Sequence, residues 1–452
     1  MKLTVVGGGG FRIPQIGEAL SRRPKDQLDV TELCLYDISD ERLRVMADVL
    51  DQLSIARKPR ITVTGDLRTA IHSADFVFSA MRVAGTEGRV RDELIPLRHN
   101  VLGQETVGPG GYAYALRTIP AALELAHAVA QEAPGAWVIN FTNPAGIITQ
   151  AMRGVLGKKV IGICDTPIGL VRRAARALGH REIDLDYDYI GLNHLGWLRS
   201  IRKDGDDLLP RLLNDPDLLG QMEEARLIGP EWVRNLGILP NEYLFYYYRN
   251  REAVAQIRIQ DKTRGQFLSA QQSDFYRGAL AHRQEAAALW ERAHREREET
   301  YMAEAREVAG AGEREEDDLD GGYQEVALDL MTALSGGSPA RMILGVANAE
   351  SGTRIIPALA PEAIVEVPCT VGTAGPVPVA LGPLEGAELG LITQVKACET
   401  LIIEAVLTRD RATAWKAMAL HPLVDSIEIA KTILDEYCEA IPEIAAVFEK
   451  GE

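Results

Sequence analysis

Read for the spacing of its apolar positions, the first 200 residues alternate short β-rich runs with stretches of helical period. The runs are LTVV (3–6), ELCLYD (32–37), RITVTG (60–65), DFVFSAM (75–81), AWVINF (136–141) and VIGIC (160–164). Most are nearly continuous in apolar residues, which is the pattern of a strand covered on both faces, and the helices between them supply the crossovers that parallel strands need. The expected architecture for residues 1–195 is therefore a Rossmann-like, doubly wound parallel sheet. Beyond about residue 200 the pattern changes. Residues 283–306 read as a charged helix, EREEDDLDGG (313–322) as an acidic surface loop, and helical periodicity resumes at Tyr323. AIVEVPCTV (363–371) reads as a strand before GTAGPVPVALGP, a hairpin or loop. This predicts a second, mixed α+β domain over residues 196–452.

Composition narrows the function classes. The chain has 452 residues, 46% hydrophobic and 25% charged, enough for two domains with a sizeable core. A formal net charge of −16 argues against nucleic acid or an anionic membrane as partner. An anionic ligand would have to be held locally, by a few arginines. The five cysteines, Cys34, Cys164, Cys369, Cys398 and Cys438, are odd in number and irregularly spaced, so reduced thiols are expected. The apolar run at the start is too short for a signal peptide and no stretch reaches membrane-spanning length, so the cytoplasm is the expected compartment.

Candidate chemistry sits at the strand ends. VVGGGGF places four glycines between the first strand and a helix that should begin near Pro14. Glycines let backbone approach a pyrophosphate, and a helix N-terminus offers it free N–H groups. Gly8 and Gly10 supply G-x-G, although Ile13 stands where a third glycine is expected; with Gly9 and Phe11 they form the candidate nucleotide loop. Asp37 ends the second strand, where a carboxylate can bond ribose hydroxyls and disfavour a 2′-phosphate, which favours NAD over NADP. A tight glycine turn followed by a helix-capping aspartate would leave the same pattern. Cys164 and Asp165 follow the sixth strand, and Asn193 and His194 follow another apolar run within DYIGLNHLGW (188–197). A thiolate and an imidazole from separate strand ends could share a metal, and donor softness alone points to zinc or iron. Asn140 and Asn143 follow the fifth strand, and a long loop rich in Arg, Glu and Gly follows the fourth, suggesting ligand contact. LPNEYLFYYYR (239–249) carries Tyr243, Tyr246, Tyr247 and Tyr248, a stripe that spacing alone assigns to packing, and DKTRGQ contributes Arg264.

Seven motifs in order, GGGGF, PLRHNVLGQETVGPGG, NFTNPAG, GICDTP, GLNHLGW, PNEYLFYYY and TRGQ, resemble the NAD- and manganese-dependent glycosidases of glycoside hydrolase family 4, especially the 6-phospho-glucosidases. The likeness runs over most of the chain. It implies Cys164 and His194 as ligands of Mn2+, overriding the softness argument, with Tyr243 as catalytic base and Asp165 as proton donor to the leaving group. It implies Arg89, Asn143, Arg264 and Glu105 at the substrate, where guanidinium groups suit a phosphate dianion. The implied reaction oxidises carbon 3 of the sugar with NAD+, removes the carbon 2 proton beside a Mn2+ Lewis acid, eliminates the aglycone, adds water and returns the hydride. The C-terminal domain would then carry substrate contacts and assembly into a homodimer or homotetramer. Asp165 after the cysteine points to α-linked substrates, whereas the AIVEVP strand and general texture lean slightly to 6-phospho-β-glucosides. Rival readings are a glycosidase for another carbon 6 anion such as a sulfoquinovoside, a 2-hydroxy-acid dehydrogenase, and a non-catalytic NAD sensor.

Overall fold

The apolar runs become strands that stop where the chain turns polar. A computed structural model describes residues 1–53, 57–300 and 322–449. Its first six strands are β1 (Lys2–Val6), β2 (Glu32–Tyr36), β3 (Arg60–Thr64), β4 (Phe76–Ser79), β5 (Trp137–Asn140) and β6 (Val160–Gly162), all parallel and in spatial order 3-2-1-4-5-6. Successive residues face opposite sides. Phe76, Phe78, Ile139 and Ile161 join one apolar cluster, while Val77, Val138 and Val160 join the other. Both faces are thus covered, as the continuous apolar pattern requires. Each helix follows the same logic: Ile13–Arg22, with Pro14 in its first turn, buries Ile13, Ile16, Ala19 and Leu20, and the Ser39 hydroxyl caps Asp40–Gln52 by accepting the Arg42 N–H.

The register sets the site. Val6 lies opposite both Tyr36 and Ser79, Ser79 opposite Asn140, and Asn140 opposite Gly162. Gly7, Asp37, Ala80, Phe141 and Ile163 therefore emerge along one sheet edge, the edge at which open α/β sheets bind ligands.

The C-terminal half extends this same sheet. The further strands β7 (Asp186–Leu192), β8 (Leu195–Lys203), β9 (Asp206–Asp207), β10 (Leu239–Pro240), β11 (Ala340–Ala347), β12 (Ile364–Gly372) and β13 (Gly375–Pro378) are all antiparallel to their partners. The order from edge to edge is β10-β8-β7-β12-β11-β6-β5-β4-β1-β2-β3, with β13 on β12 and β9 on β8. The segment after β12 is a hairpin, closed between Gly372 and Gly375. The apolar run holding Asn193 and His194 is a second hairpin, with those two residues as its turn. Of the charged helix expected over 283–306, Ala286–Glu299 is helical; its last six residues and positions 313–321 of the acidic stretch lie outside the described residues. No helix among the described residues is long and apolar enough to cross a membrane.

One buried ion pair braces the helices behind the site. Arg117 donates Nη1 and Nη2 to the two oxygens of Asp92 at 2.7 and 2.6 Å, with both side chains fully enclosed. Burial pushes the Asp92 carboxyl up to about 6 against the pull of Arg117.

Candidate active site

A cavity of about 600 Å³ runs along the sheet edge just described. At one end, Gly7 adopts φ +91°, and a side chain there would place Cβ 2.4 Å from the Ala80 carbonyl oxygen. On Gly8 a Cβ would stand 2.7 Å from Leu35 Cβ and 2.8 Å from its Cα. This backbone packs too closely for any residue but glycine. Asp37 receives the Gly9 N–H and the Ser39 N–H, each at 3.0 Å, which fixes its carboxylate beside the loop. Residues far along the chain hold the loop from the other side. The Tyr276 hydroxyl donates to the Gly9 carbonyl at 2.6 Å, the Trp290 indole to that of Phe11 at 2.8 Å, and the Tyr323 hydroxyl to that of Arg12 at 2.9 Å. Tyr323 also stacks on Phe141, with centroids 4.2 Å apart. The cradle fits a dinucleotide, with glycines where phosphates would approach and a carboxylate at the end of β2.

The same cavity is lined by Cys164, Asp165, His194 and Tyr243. Cys164 and Asp165 leave β6 at the start of the helix Thr166–Ala177. Burial, then the charges of Glu366 and Asp165, push the Cys164 thiol well above its ordinary range, so a thiolate there needs a cation beside it. His194 occupies the hairpin turn at φ +61° and is 6% exposed. Burial lowers its imidazole to about 3, keeping it neutral, and its Nδ1 is buried without a hydrogen-bond partner among the described residues. An orphaned nitrogen of this kind is costly unless a ligand takes it. The Tyr243 ring lies flat on the imidazole, with centroids 3.8 Å apart and planes within 7°. No group of three or more His, Cys, Asp or Glu among the described residues could hold a metal unaided. Cys164 and His194 line one cavity, and a thiolate and a neutral imidazole are donor types that could hold a divalent ion.

Arginines of the lining gather around one carboxylate. Glu105 accepts Arg82 Nη1 at 2.5 Å and Arg89 Nη1 at 2.7 Å, and Arg89 Nε also bonds Glu93 at 2.9 Å. Burial opposes its charge, but Arg82 and Arg89 outweigh that and hold the Glu105 carboxyl down at about 2. Arg264 opens the helix Arg264–Ala281, whose N-cap is a Thr263/Gln266 capping box, and donates Nη2 to the Arg297 carbonyl at 2.8 Å. Asn143 completes the rim, its Oδ1 buried and without a partner among the described residues.

Two family models cover most of the chain, "Family 4 glycosyl hydrolase" over residues 2–180 and its C-terminal domain over residues 189–424. The chain belongs to glycosyl hydrolase family 4. Among similar family members, a probable 6-phospho-beta-glucosidase of Bacillus subtilis is 33% identical over 97% of this chain and 96% of its own. A 6-phospho-alpha-glucosidase of Leptotrichia buccalis is 32% identical over 97% of each. The 6-phospho-beta glucosidase of Thermotoga maritima, solved with manganese, NAD+ and glucose-6-phosphate, is 27% identical with a TM-score of 0.80, covering 98% of this chain and 99% of that one.

In this family 4 chain the cavity gathers nearly all the residues singled out from sequence: Gly10, Phe11, Asp37, Arg89, Glu105, Asn143, Cys164, Asp165, His194, Tyr243 and Arg264 line it. Gly8 and Gly9 stand just behind its wall, packed on Leu35 and Asp37. Of the tyrosine stripe, Tyr243 and Tyr246 face the cavity, whereas Tyr248 accepts the Trp197 indole N–H at 3.2 Å. The structure adds Arg12, Arg82, Arg297 and Tyr323 to the lining. Arg82 sits three residues beyond β4, so the strand-end rule that found Asp37 and Cys164 reaches it too. Arg297 and Tyr323 carry no local signal, because only the tertiary fold returns their helices to the glycine loop.

Proposed function

We propose that this chain is an NAD+- and Mn2+-dependent glycosidase acting on 6-phospho-glucosides, with β-linked substrates slightly preferred. The observation that carries the reading is the flat stack of Tyr243 on the neutral imidazole of His194, whose buried Nδ1 has no hydrogen-bond partner among the described residues, in one cavity with Cys164 and the glycine loop. The relatives named 6-phospho-glucosidases support it, as does the Thermotoga maritima enzyme solved with manganese, NAD+ and glucose-6-phosphate.

When bound, NAD+ at the glycine loop and Asp37 would supply a hydride acceptor for sugar carbon 3, and a divalent ion held by Cys164 and His194 would supply positive charge for the oxygens on carbons 2 and 3. The remaining work falls to side chains. Arg89 and Arg264 grip the 6-phosphate, helped by Asn143, while Glu105 keeps the Arg82 and Arg89 guanidinium groups in place before substrate arrives. Tyr243 removes the carbon 2 proton, made acidic by the neighbouring ketone, and Asp165 protonates the glycosidic oxygen as the carbon 1 bond breaks. Water then adds at carbon 1 and the proton returns to carbon 2; the bound nicotinamide would supply the hydride back to carbon 3 and so would not be consumed. In this scheme residues 1–195 hold the nucleotide and residues 196–452 complete the substrate site and assemble a cytoplasmic homodimer or homotetramer.

A second reading, α-linked substrates, is favoured by Asp165, a proton donor placed directly after the candidate metal ligand. Chromogenic α- and β-glucosides bearing 6-phosphate or 6-sulfonate, each with and without NAD+, Mn2+ and reductant, separate these readings. Turnover in deuterated water should label carbon 2 of the product. Efficient hydrolysis with no label and no need of nicotinamide refutes the proposal.

A further inference from the structure

Glu366 lies within β12 and is 4% exposed, yet it sits outside the cavity lining. Its Oε1 accepts Asn193 Nδ2 at 3.0 Å, and its Oε2 is buried with no hydrogen-bond partner among the described residues. Burial pushes this carboxyl up to about 7. A half-satisfied carboxyl in a sheet interior lowers stability, and an apolar residue of similar size would serve packing better. The side chain to which it is bonded suggests why it is there. Asn193 Oδ1 accepts the Ala145 N–H at 3.0 Å, at the first residue of the helix Ala145–Leu156. That helix starts directly after Asn143 and Pro144. One amide thus ties the β7–β8 turn to the segment that carries Asn143, and the next residue in the same turn is His194, held at a φ that L side chains rarely adopt. β12 pairs with β7 through Glu366 and Gly191, two residues before Asn193.

An asparagine amide can turn either end toward a given partner. The carboxyl acceptor removes that freedom, since it takes the Nδ2 end and leaves Oδ1 for Ala145. We propose that Asn193 and Glu366 are a positioning pair, which fixes the Asn193–His194 turn so that the imidazole meets a divalent ion shared with Cys164. The inference rests on the reading of Cys164 and His194 as metal ligands. Outer partners of this kind commonly govern metal affinity by 10- to 100-fold.

Manganese alone is the probe, titrated into the full-length protein and followed by the electron paramagnetic resonance signal of the free ion, with NAD+ affinity and thermal midpoint measured alongside. Glu366→Leu should weaken Mn2+ binding about 10-fold or more, with NAD+ affinity unchanged and the midpoint not lowered. Glu366→Gln, which keeps an acceptor at Oε1, should stay within about threefold of the native protein. The double variant Asn193→Ala/Glu366→Leu should bind no worse than Asn193→Ala, because the two residues act through each other. Should Glu366→Leu not fold, Asn193→Ala at its half-buried position carries the same expectation. The pair is overturned if Glu366→Leu binds Mn2+ like the native protein, if Glu366→Gln loses as much as Glu366→Leu, or if the two losses multiply. His194→Ala distinguishes the levels. If it abolishes Mn2+ binding while Glu366→Leu does not alter it, only the pair falls; if it binds Mn2+ normally, the ligand reading falls and takes the pair with it.

Discussion

Replacing Glu105 by glutamine should reveal how much of the arginine cluster one carboxylate holds together. The native carboxyl ionises near 2 instead of 4.5, because Arg82 and Arg89 outweigh its burial. With the side chain only 14% exposed, solvent screens this little. The difference corresponds to about 3 kcal/mol of folding free energy at neutral pH. With unfolding entropy of about 2 cal/mol/K per residue over 452 residues, that is a fall of about 3 °C in thermal midpoint. The pH dependence has a definite sign. The folded-state value is depressed, so the contribution is complete above about pH 5, drains away as pH falls from 4.5 toward 2, and is absent below that. Thermal or guanidinium unfolding of native and Glu105→Gln protein at pH 7, 5, 4 and 3 should therefore give a gap that closes toward acid, other carboxylates cancelling in the difference. Inorganic phosphate should narrow the gap at pH 7 by substituting for the missing charge. A variant as stable as the native protein at pH 7, or a gap of equal size at pH 7 and pH 3, refutes the reasoning.

Gly8→Ala forces a Cβ to within 2.8 Å of the Leu35 backbone and should weaken NAD+ binding at least about 10-fold by calorimetry, with Mn2+ affinity unchanged. Tyr243→Phe keeps the ring that stacks on His194 but removes the hydroxyl; kcat should fall by about 10² to 10⁴ while Mn2+ affinity stays within about threefold, and equal losses in both would remove Tyr243 from the role of base. Asp92→Asn leaves Arg117 enclosed without its counter-charge and should cost about 3–5 kcal/mol by denaturant unfolding.

The parallel half of the sheet was legible because strands buried on both faces are written as apolar runs, and the polar residue ending each run marks the ligand edge. Asp37 and Cys164 were found that way, as Arg82 could have been. What escaped depends on pairings with no local signature. Nothing in ARMILGVA announces that β11 will lie against β6, and an Asn-His dipeptide without glycine does not advertise a turn holding His194 at positive φ. Tyr243 and Tyr248 look alike in sequence; the fold separates them, stacking one ring on an imidazole and leaving the other's hydroxyl to accept the Trp197 indole N–H. Glu366 reads as an oddity in a strand until the hairpin bearing Asn193 is folded beside it.

The hydroxyls of Tyr276 and Tyr323 and the indole of Trp290 answer three successive or near-successive carbonyls of the glycine loop, all from beyond residue 270. A gene fragment ending near residue 195 would leave those acceptors unanswered and would expose the β6 margin that β11 covers. The dinucleotide cradle is thus finished only after most of the polypeptide has been synthesised. This chain is a poor donor of a transplantable cofactor module, however familiar its opening glycines look.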